Sequence, residues 1–284
     1  PPVYWFTDSL LGGGWGFNTE TCPGAEIPPL ASLKKMLPEE SLWPIDKKYW
    51  EFHTGRNVFQ TLDRDIHAIN SRYGKSSSVE EFSYKAQVNN YELMRPMFEA
   101  FIAHKPKSTG LIQWKLNSAW PELIWQLYDT YLQPNGAFYA VRKACNPLHA
   151  IYRYGFDDIF LANENLQDAE TLTVKIRAFD IHSKETFSDE WKGSIQGNQS
   201  KQIYQLPELK NCTSVWFLSL NVFDKDNQEV DNSIYWLSQK QDVPDYEASK
   251  KLSWPFYTPA KQFADFTALD QLPAVTPVCD FRYI

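Results

Sequence analysis

The sequence predicts an α/β region followed by an all-β region. Long helical patterns run to about residue 146, and short alternating patterns continue to about residue 240. In the first part a long helical pattern is followed by a mostly apolar strand, which makes a β/α unit. In the second part candidate strands recur at the spacing of an immunoglobulin-like sandwich. We therefore expect three segments, 1–146, 147–240 and 241–284, the last a linker and the start of a further domain.

The first region opens with a short predicted strand at 15–20 after a glycine-rich turn. Helices are expected over 30–37 and 62–73, and Gly74 follows at the position where glycine ends helices. Between these two helices, an aromatic-rich stretch predicts an excursion of the chain that packs against its surroundings rather than a free loop. Its aromatic residues are Trp43, Tyr49, Trp50 and Phe52.

The longest predicted helix covers 79–104. Ser78 and Glu81 have the spacing of a capping box, and Pro96 is expected to kink the helix. A mostly apolar strand at 111–116 and a closing helix at 136–145 complete this region.

The all-β region contains short alternating runs separated by turn-forming clusters. Strands are predicted at 150–154, 159–162, 172–179, 200–206, 214–223 and 233–238. The cluster at 224–227 begins like a calcium loop but lacks its central glycine, and a hairpin turn is expected there.

The amino-acid composition restricts the classes of partner that this protein is expected to bind. The formal charge of −7 and the absence of basic runs argue against nucleic acid or an anionic membrane surface, and no apolar stretch reaches the ~18 residues of a membrane span. A neutral or cationic ligand fits better. The aromatic content of 11 Trp, 15 Tyr and 18 Phe offers flat faces suited to stacking on sugar rings, although most of these side chains are expected in the core.

No cofactor and no metal are expected. The five histidines do not cluster at ligand spacing. Four widely spaced cysteines fit neither a metal site nor a disulfide framework, and buried free thiols are predicted; they are Cys22, Cys145, Cys212 and Cys279. The first residues show neither a starting Met nor a signal peptide, and the last five could lie inside a strand, so we expect both ends to be cut.

Several motifs occur together in one order along the chain. They are Gly16-Phe17-Asn18-Thr19-Glu20, Pro23-Gly24, Pro28-Pro29-Leu30, Thr109-Gly110-Leu111-Ile112-Gln113-Trp114, Leu116-Asn117-Ser118-Ala119-Trp120-Pro121, Trp125-Gln126-Leu127-Tyr128-Asp129, Pro147-Leu148-His149, Tyr235-Trp236-Leu237-Ser238 and, more loosely, Phe256-Tyr257-Thr258-Pro259. In these motifs the sequence resembles glycoside hydrolase family 2, and within it the exo-β-D-glucosaminidases.

The resemblance implies that residues 1–146 form the C-terminal part of a (β/α)8 TIM barrel, strands seven and eight with their helices. It implies that Glu20, at the end of the seventh strand, is the catalytic nucleophile. A retaining glycosidase also needs a second carboxyl group ~5–5.5 Å away as acid and base. The family carries that group on strand four, upstream of Pro1. The missing N-terminal part of the enzyme is thus an expected partner, and the isolated chain is expected to be inactive.

The resemblance also places Trp114 and Trp120 against the sugar, with core packing as the alternative for each. Asn18 and Asn117 could bind the sugar or position Glu20, or could simply form turns. Weaker candidates, not expected to be catalytic, are Glu26, Tyr128 and Asp129.

The predicted function is retaining hydrolysis of a terminal β-D-glucosaminide in chitosan-type chains. One alternative is a β-mannosidase or endo-β-mannosidase of the same family. Another is a non-catalytic carbohydrate-binding or structural module. Because polymeric sugars are met outside the cytoplasm, a secreted or periplasmic location is expected.

Overall fold

The computed structural model describes residues 1–8, 13–24, 26–56, 60–252, 258–276 and 278. Cys279, the Phe256-Tyr257 pair and the strand expected at 280–284 lie outside these residues.

The α/β region is mostly helical. Its helices are α1 (Pro2–Thr7), α2 (Leu30–Met36), α3 (Glu39–Leu42), α4 (Lys47–Phe52), α5 (Thr61–Tyr73), α6 (Val79–Ala103) and α7 (Gly136–Ala144). The helices expected at 30–37, 62–73, 79–104 and 136–145 are confirmed to within a residue or two. The expected excursion holds the short helices α3 and α4, and α1 was not predicted.

The first turn of α6 differs from the predicted capping box. The Ser78 hydroxyl accepts a hydrogen bond from the Glu81 amide at 3.2 Å, as expected. The Glu81 carboxylate instead accepts from the amide and hydroxyl of Ser77. Both bonds still satisfy free groups at the helix start. The helix continues through Pro96.

Two clusters of apolar side chains pack around α6. One joins its first half to α2, α5 and Trp50 of α4. The other joins its second half to α1, α7 and the start of the all-β region, through side chains such as Met97 and Ile151. Burial on both sides explains why α6, at 25 residues, is the longest helix among the described residues.

The strands form one parallel pair and three antiparallel sheets. They are β1 (Gly16–Thr21), β2 (Ser108–Gln113), β3 (Leu148–Arg153), β4 (Asp158–Asn163), β5 (Ala169–Asp180), β6 (Glu185–Ile195), β7 (Gln199–Gln205), β8 (Val215–Phe223), β9 (Glu229–Ser238), β10 (Val243–Pro244) and β11 (Ala260–Gln262). The pair is β1 with β2, and the sheet orders are β3-β4-β7, β6-β5-β8-β9 and β10-β11. An α/β region followed by an all-β sandwich is thus confirmed.

Two strands differ from prediction. The strand β2 ends at Gln113, so Trp114 follows it rather than lying inside it. The strand β6 was not predicted, because its sequence is polar and only Ile195 is buried. It lies at the edge of the four-stranded sheet, where exposed charged side chains are usual.

The sandwich has its own apolar core. The inward faces of β5, β8 and β9 meet those of β3 and β4, with Leu220 and Tyr235 among the fully buried side chains. Between β8 and β9 the Asp224 carboxylate accepts from the amides of Asp226 and Gln228, both at 2.9 Å. The hairpin turn predicted there is confirmed.

A buried ionic cluster joins α6 to the sandwich. The imidazole of His149 on β3 lies 3.0 Å from Glu99 of α6 and 2.8 Å from Asp231 of β9. The Tyr235 hydroxyl donates to Glu99 at 2.9 Å, and the Arg95 guanidinium lies over the Tyr235 ring. These polar groups are covered on all sides, so the two regions meet through a fixed interface.

The described residues after the sandwich, 241–252 and 258–276, are folded rather than the extended linker that the sequence predicts. The strands β10 and β11 pair, α8 (Tyr246–Ser249) follows β10, and a 3₁₀ turn spans Thr267–Gln271. Phe266 stacks on Tyr73 of α5 and its amide donates to the Arg72 carbonyl at 2.7 Å. Apolar side chains thus hold this segment on the α/β region.

The thiols of Cys22, Cys145 and Cys212 are free, as predicted. Cys145 is exposed and the other two are half-buried, so the expected burial was wrong for Cys145. None of the described helices is both long and apolar enough to cross a membrane.

Candidate active site

The parallel pair brings the carboxyl ends of two strands together. Asn18 lies opposite Leu111, and Thr21 opposite Gln113. Past the end of β2, the Trp114 amide still donates to the Thr21 carbonyl at 2.9 Å. Side chains at the ends of β1 and β2 therefore share one edge of the pair.

Glu20 occupies the second-to-last position of β1 and is exposed. Within the described residues, no hydrogen bond or ion pair engages its carboxylate. Its amide donates to the Asn18 side-chain oxygen at 3.2 Å. Asn18 therefore fixes the backbone that carries Glu20, while the carboxylate stays open to a ligand.

Two residues further along, Cys22 lies near this carboxylate. Burial raises the pKa of its thiol well above the usual value, and the nearby carboxyl groups of Glu26 and Glu20 raise it further. The thiol is therefore protonated at neutral pH, which makes it a poor nucleophile beside Glu20.

The loop after β2 is held by ionic and backbone contacts. Lys115 pairs with Glu122 at 2.7 Å, and the Ser118 hydroxyl donates to the same carboxylate at 3.2 Å. The backbone of Asn117 bridges to that of Tyr128, and the Asn117 side chain is exposed. Asn117 thus lies on an ordered loop.

Two tryptophans from the prediction are exposed on this side of the molecule. Trp114 follows β2 directly, and Trp120 lies on the loop beyond it. Core packing, the alternative considered for each, does not hold in this structure. Trp120 contacts Phe52 and His53 at the end of α4, two residues that the sequence analysis did not single out as binding residues. The aromatic excursion was the only signal that could have suggested Phe52.

The weaker candidates have structural roles. The Asp129 carboxylate accepts from the amides of Tyr131 and Gln133, at 2.8 and 2.9 Å, and so forms a turn. Glu26 is 1% exposed, and the Trp125 backbone amide lies beside its carboxyl group. Burial raises the pKa of Glu26 well above its ordinary value, and the nearby Asp65 raises it further.

Over the described ranges, no three His, Cys, Asp or Glu side chains gather as metal ligands. A cavity of about 550 Å³ opens between the sandwich and the C-terminal segment, with Tyr154, Trp216 and Asp242 in its lining. None of the predicted site residues lines it, so it is separate from the edge that carries Glu20.

Comparison with known proteins finds one matching domain model and several similar enzymes. Residues 158–242 match the family model of the Mannosidase Ig/CBM-like domain. An exo-β-D-glucosaminidase of Arthroderma benhamiae is 35% identical over 281 residues, which are 96% of this chain and 31% of that protein. One from Amycolatopsis orientalis is 32% identical over 285 residues, 96% of this chain and 27% of that protein.

Solved structures agree. The crystal structure of the Amycolatopsis orientalis exo-chitosanase CsxA superposes with a TM-score of 0.89 at 31% identity, covering 96% of this chain and 33% of that one. A Glu-to-Ala and an Asp-to-Ala variant of that exo-chitosanase have been solved in complex with PNP-β-D-glucosamine. The chain thus spans about a third of the length of the proteins it matches. In agreement with its motifs, the chain is similar over nearly its whole length to a part of the exo-β-D-glucosaminidases.

Proposed function

We propose that an enzyme containing this chain removes terminal β-linked glucosamine from chitosan-type oligosaccharides with retention of configuration, using Glu20 as the nucleophile. The observation that carries the proposal is the open Glu20 carboxylate at the shared carboxyl edge of two parallel strands. Catalytic side chains of (β/α)8 barrels lie at that end of the strands. The similarity to exo-β-D-glucosaminidases over 96% of the chain supports the substrate.

In the proposed barrel, β1 and β2 are strands seven and eight. Two strands cannot close an eight-stranded barrel, so other strands must complete it. The acid that protonates the leaving oxygen is assigned to that other part of the enzyme. Neither nearby glutamate suits the role, because Glu26 is buried and Glu122 is ion-paired with Lys115.

The proposed chemistry uses two steps. The Glu20 carboxylate attacks the anomeric carbon while the acid donates a proton to the leaving oxygen, and a glycosyl ester forms. The same acid, now a base, then takes a proton from water, which releases the sugar and restores Glu20. Trp114 and Trp120 are assigned to contact with the sugar, and Asn18 to positioning of Glu20. Asn117 is assigned to contact with the sugar from the loop.

A β-mannosidase remains the second candidate, and the family model that matches the sandwich is named after mannosidases. The two activities share nucleophile and retention and differ at the 2-position of the sugar. A glucosaminidase must also bind an ammonium group, for which a carboxylate is the natural partner. A secreted or periplasmic enzyme is proposed from the polymeric substrate.

Intact-mass spectrometry after incubation with 2-deoxy-2-fluoro-glycosyl fluorides tests the nucleophile. The enzyme should gain the mass of one glycosyl group, and peptide mapping should place it on Glu20. The Glu20→Gln variant is the matched control and should gain no mass. An adduct on another residue, or none with any β-glycosyl reagent, would contradict the proposal. Relative rates on aryl β-glucosaminide and aryl β-mannoside then choose between the two activities.

A further inference from the structure

Two large aromatic side chains near the candidate site are exposed and touch each other. Phe52 at the end of α4 is 51% exposed, and Trp120 on the loop after β2 is 41% exposed. Their ring centres lie 5.6 Å apart, with the planes nearly perpendicular. Exposed aromatic clusters of this kind mark binding surfaces more often than isolated exposed side chains do.

Backbone contacts hold this cluster in place. The His53 imidazole stacks on Trp120 with ring centres 5.7 Å apart, and its Nδ1 lies 2.8 Å from the Pro121 carbonyl. The Leu123 amide donates to the His53 carbonyl at 2.9 Å. We refer to Phe52, His53 and Trp120 as the aromatic shelf. Because its rings are held before any ligand binds, little conformational entropy is lost on binding.

The shelf is joined by the loop after β2 to the edge that carries Glu20. Trp120 lies on the loop that leaves the carboxyl end of β2, where Trp114 is bonded to Thr21. The ion pair of Lys115 with Glu122 closes the part of that loop which carries Trp120. A ligand bound at Glu20 can therefore extend along the loop toward the shelf.

We propose that the aromatic shelf binds the leaving-group side of the substrate, the glucosamine residues beyond the bond that is cleaved. This inference rests on the proposed function. The flat apolar faces of pyranose rings stack on aromatic rings. The ammonium groups of glucosamine add an attraction to the faces of Trp and Phe that a neutral sugar lacks. The shelf thus favours a chain of glucosamine units over a substrate with a small leaving group.

Kinetic measurements on two substrates distinguish binding at the aromatic shelf from the chemical step at Glu20. The whole enzyme is assayed with glucosamine tetramer and with 4-nitrophenyl β-D-glucosaminide. In Phe52→Ala we expect the ratio of kcat/KM for the tetramer to that for the aryl substrate to fall about tenfold, which corresponds to about 1.4 kcal/mol. In Phe52→Leu, which keeps an apolar side chain without the ring, we expect an intermediate fall. Tyr84→Ala, at an exposed tyrosine on α6, is the matched control and should leave the ratio unchanged.

The outcomes are distinct. If the kcat/KM ratio is unchanged in Phe52→Ala, or if kcat/KM falls equally on both substrates, the proposed role of the shelf is wrong. If the parent enzyme hydrolyses neither the tetramer nor the aryl glucosaminide, the proposed function fails. The shelf is then tested by titration calorimetry with glucosamine tetramer, where weaker binding to Phe52→Ala than to Tyr84→Ala supports it and equal binding overturns it.

Discussion

Two pairs of buried carboxyl groups, in different parts of the molecule, have opposite surroundings. In the α/β region, burial is the main cause that raises the pKa of both Glu26 and Asp65, and Asp65 raises the pKa of Glu26 further. At the interface with the sandwich, Glu99 and Asp231 are bridged by His149. A buried carboxyl group remains charged only when it is paired. Glu26 and Asp65 therefore hold protons in one region, whereas Asp231 keeps its charge in the other.

The pKa shifts of these buried groups differ in the same way. Burial raises the pKa of Asp65 to about 8. Burial lowers the pKa of His149, but the hydrogen bonds to Asp231 and Glu99 outweigh it and raise the value to about 9. The pKa of Asp231 is lowered because the bond to His149 outweighs its burial.

The largest loss of stability is expected when the bridge between Glu99 and Asp231 is removed. His149→Ala leaves Glu99 and Asp231 buried without their partner, and removal of one member of a buried ion pair costs about 3–5 kcal/mol. Urea unfolding at pH 6 measures the loss. His182→Ala, at an exposed histidine in the turn after β5, is the control and should change the free energy of unfolding little. A loss below 1 kcal/mol in His149→Ala would mean that the bridge does not hold the interface.

The second prediction concerns the sandwich core. Leu220 on β8 is fully buried among apolar side chains. Leu220→Ala leaves a cavity there and should lower the free energy of unfolding by about 3 kcal/mol. Denaturant unfolding of the parent and the variant measures this. A change below 1 kcal/mol would show that the two sheets are packed more loosely than in this structure.

The third prediction concerns the unbridged pair. The folded form keeps a proton on Asp65 that the unfolded chain loses near pH 4, so the free energy of unfolding should fall as pH rises from about 4 to 8. Asp65→Asn keeps an oxygen that can accept the Asn89 bond and removes this titration. At pH 7.5 the variant should be more stable than the parent, by an amount on the order of 2 kcal/mol.

Two controls sharpen the third prediction. His149 also loses stabilising charge as pH rises, but between about 6.5 and 9, so the slope from pH 4 to 6 isolates the buried acids. Asp226→Asn, at an exposed turn residue, should leave the curve unchanged. If Asp65→Asn destabilises the protein at pH 7.5, a positive group must compensate Asp65.

The contrast between local patterns and contacts of distant residues explains which features the sequence could predict. Local patterns predict the helices α5, α6 and α7, because spacing of apolar residues and caps are local properties. They do not predict β6, whose polar face reflects its place at a sheet edge. Glu20 and Trp114 could be proposed as site residues from the sequence because their motifs are contiguous. Phe52 and the His149 bridge could not, because their partners lie 50 or more residues away in the chain.

The smallest expected effect lies in the parallel pair. Ile112 on β2 is 52% exposed, and within the described residues β2 pairs with β1 alone. Ile112→Ala should therefore change the free energy of unfolding of this chain by less than about 0.5 kcal/mol. In an enzyme whose further strands cover β2, the same change removes buried apolar surface and should cost more than about 1 kcal/mol. Urea unfolding of both proteins measures the difference. An equal, small effect in both would show that Ile112 faces solvent even in the complete enzyme, and would count against the barrel proposed for β1 and β2.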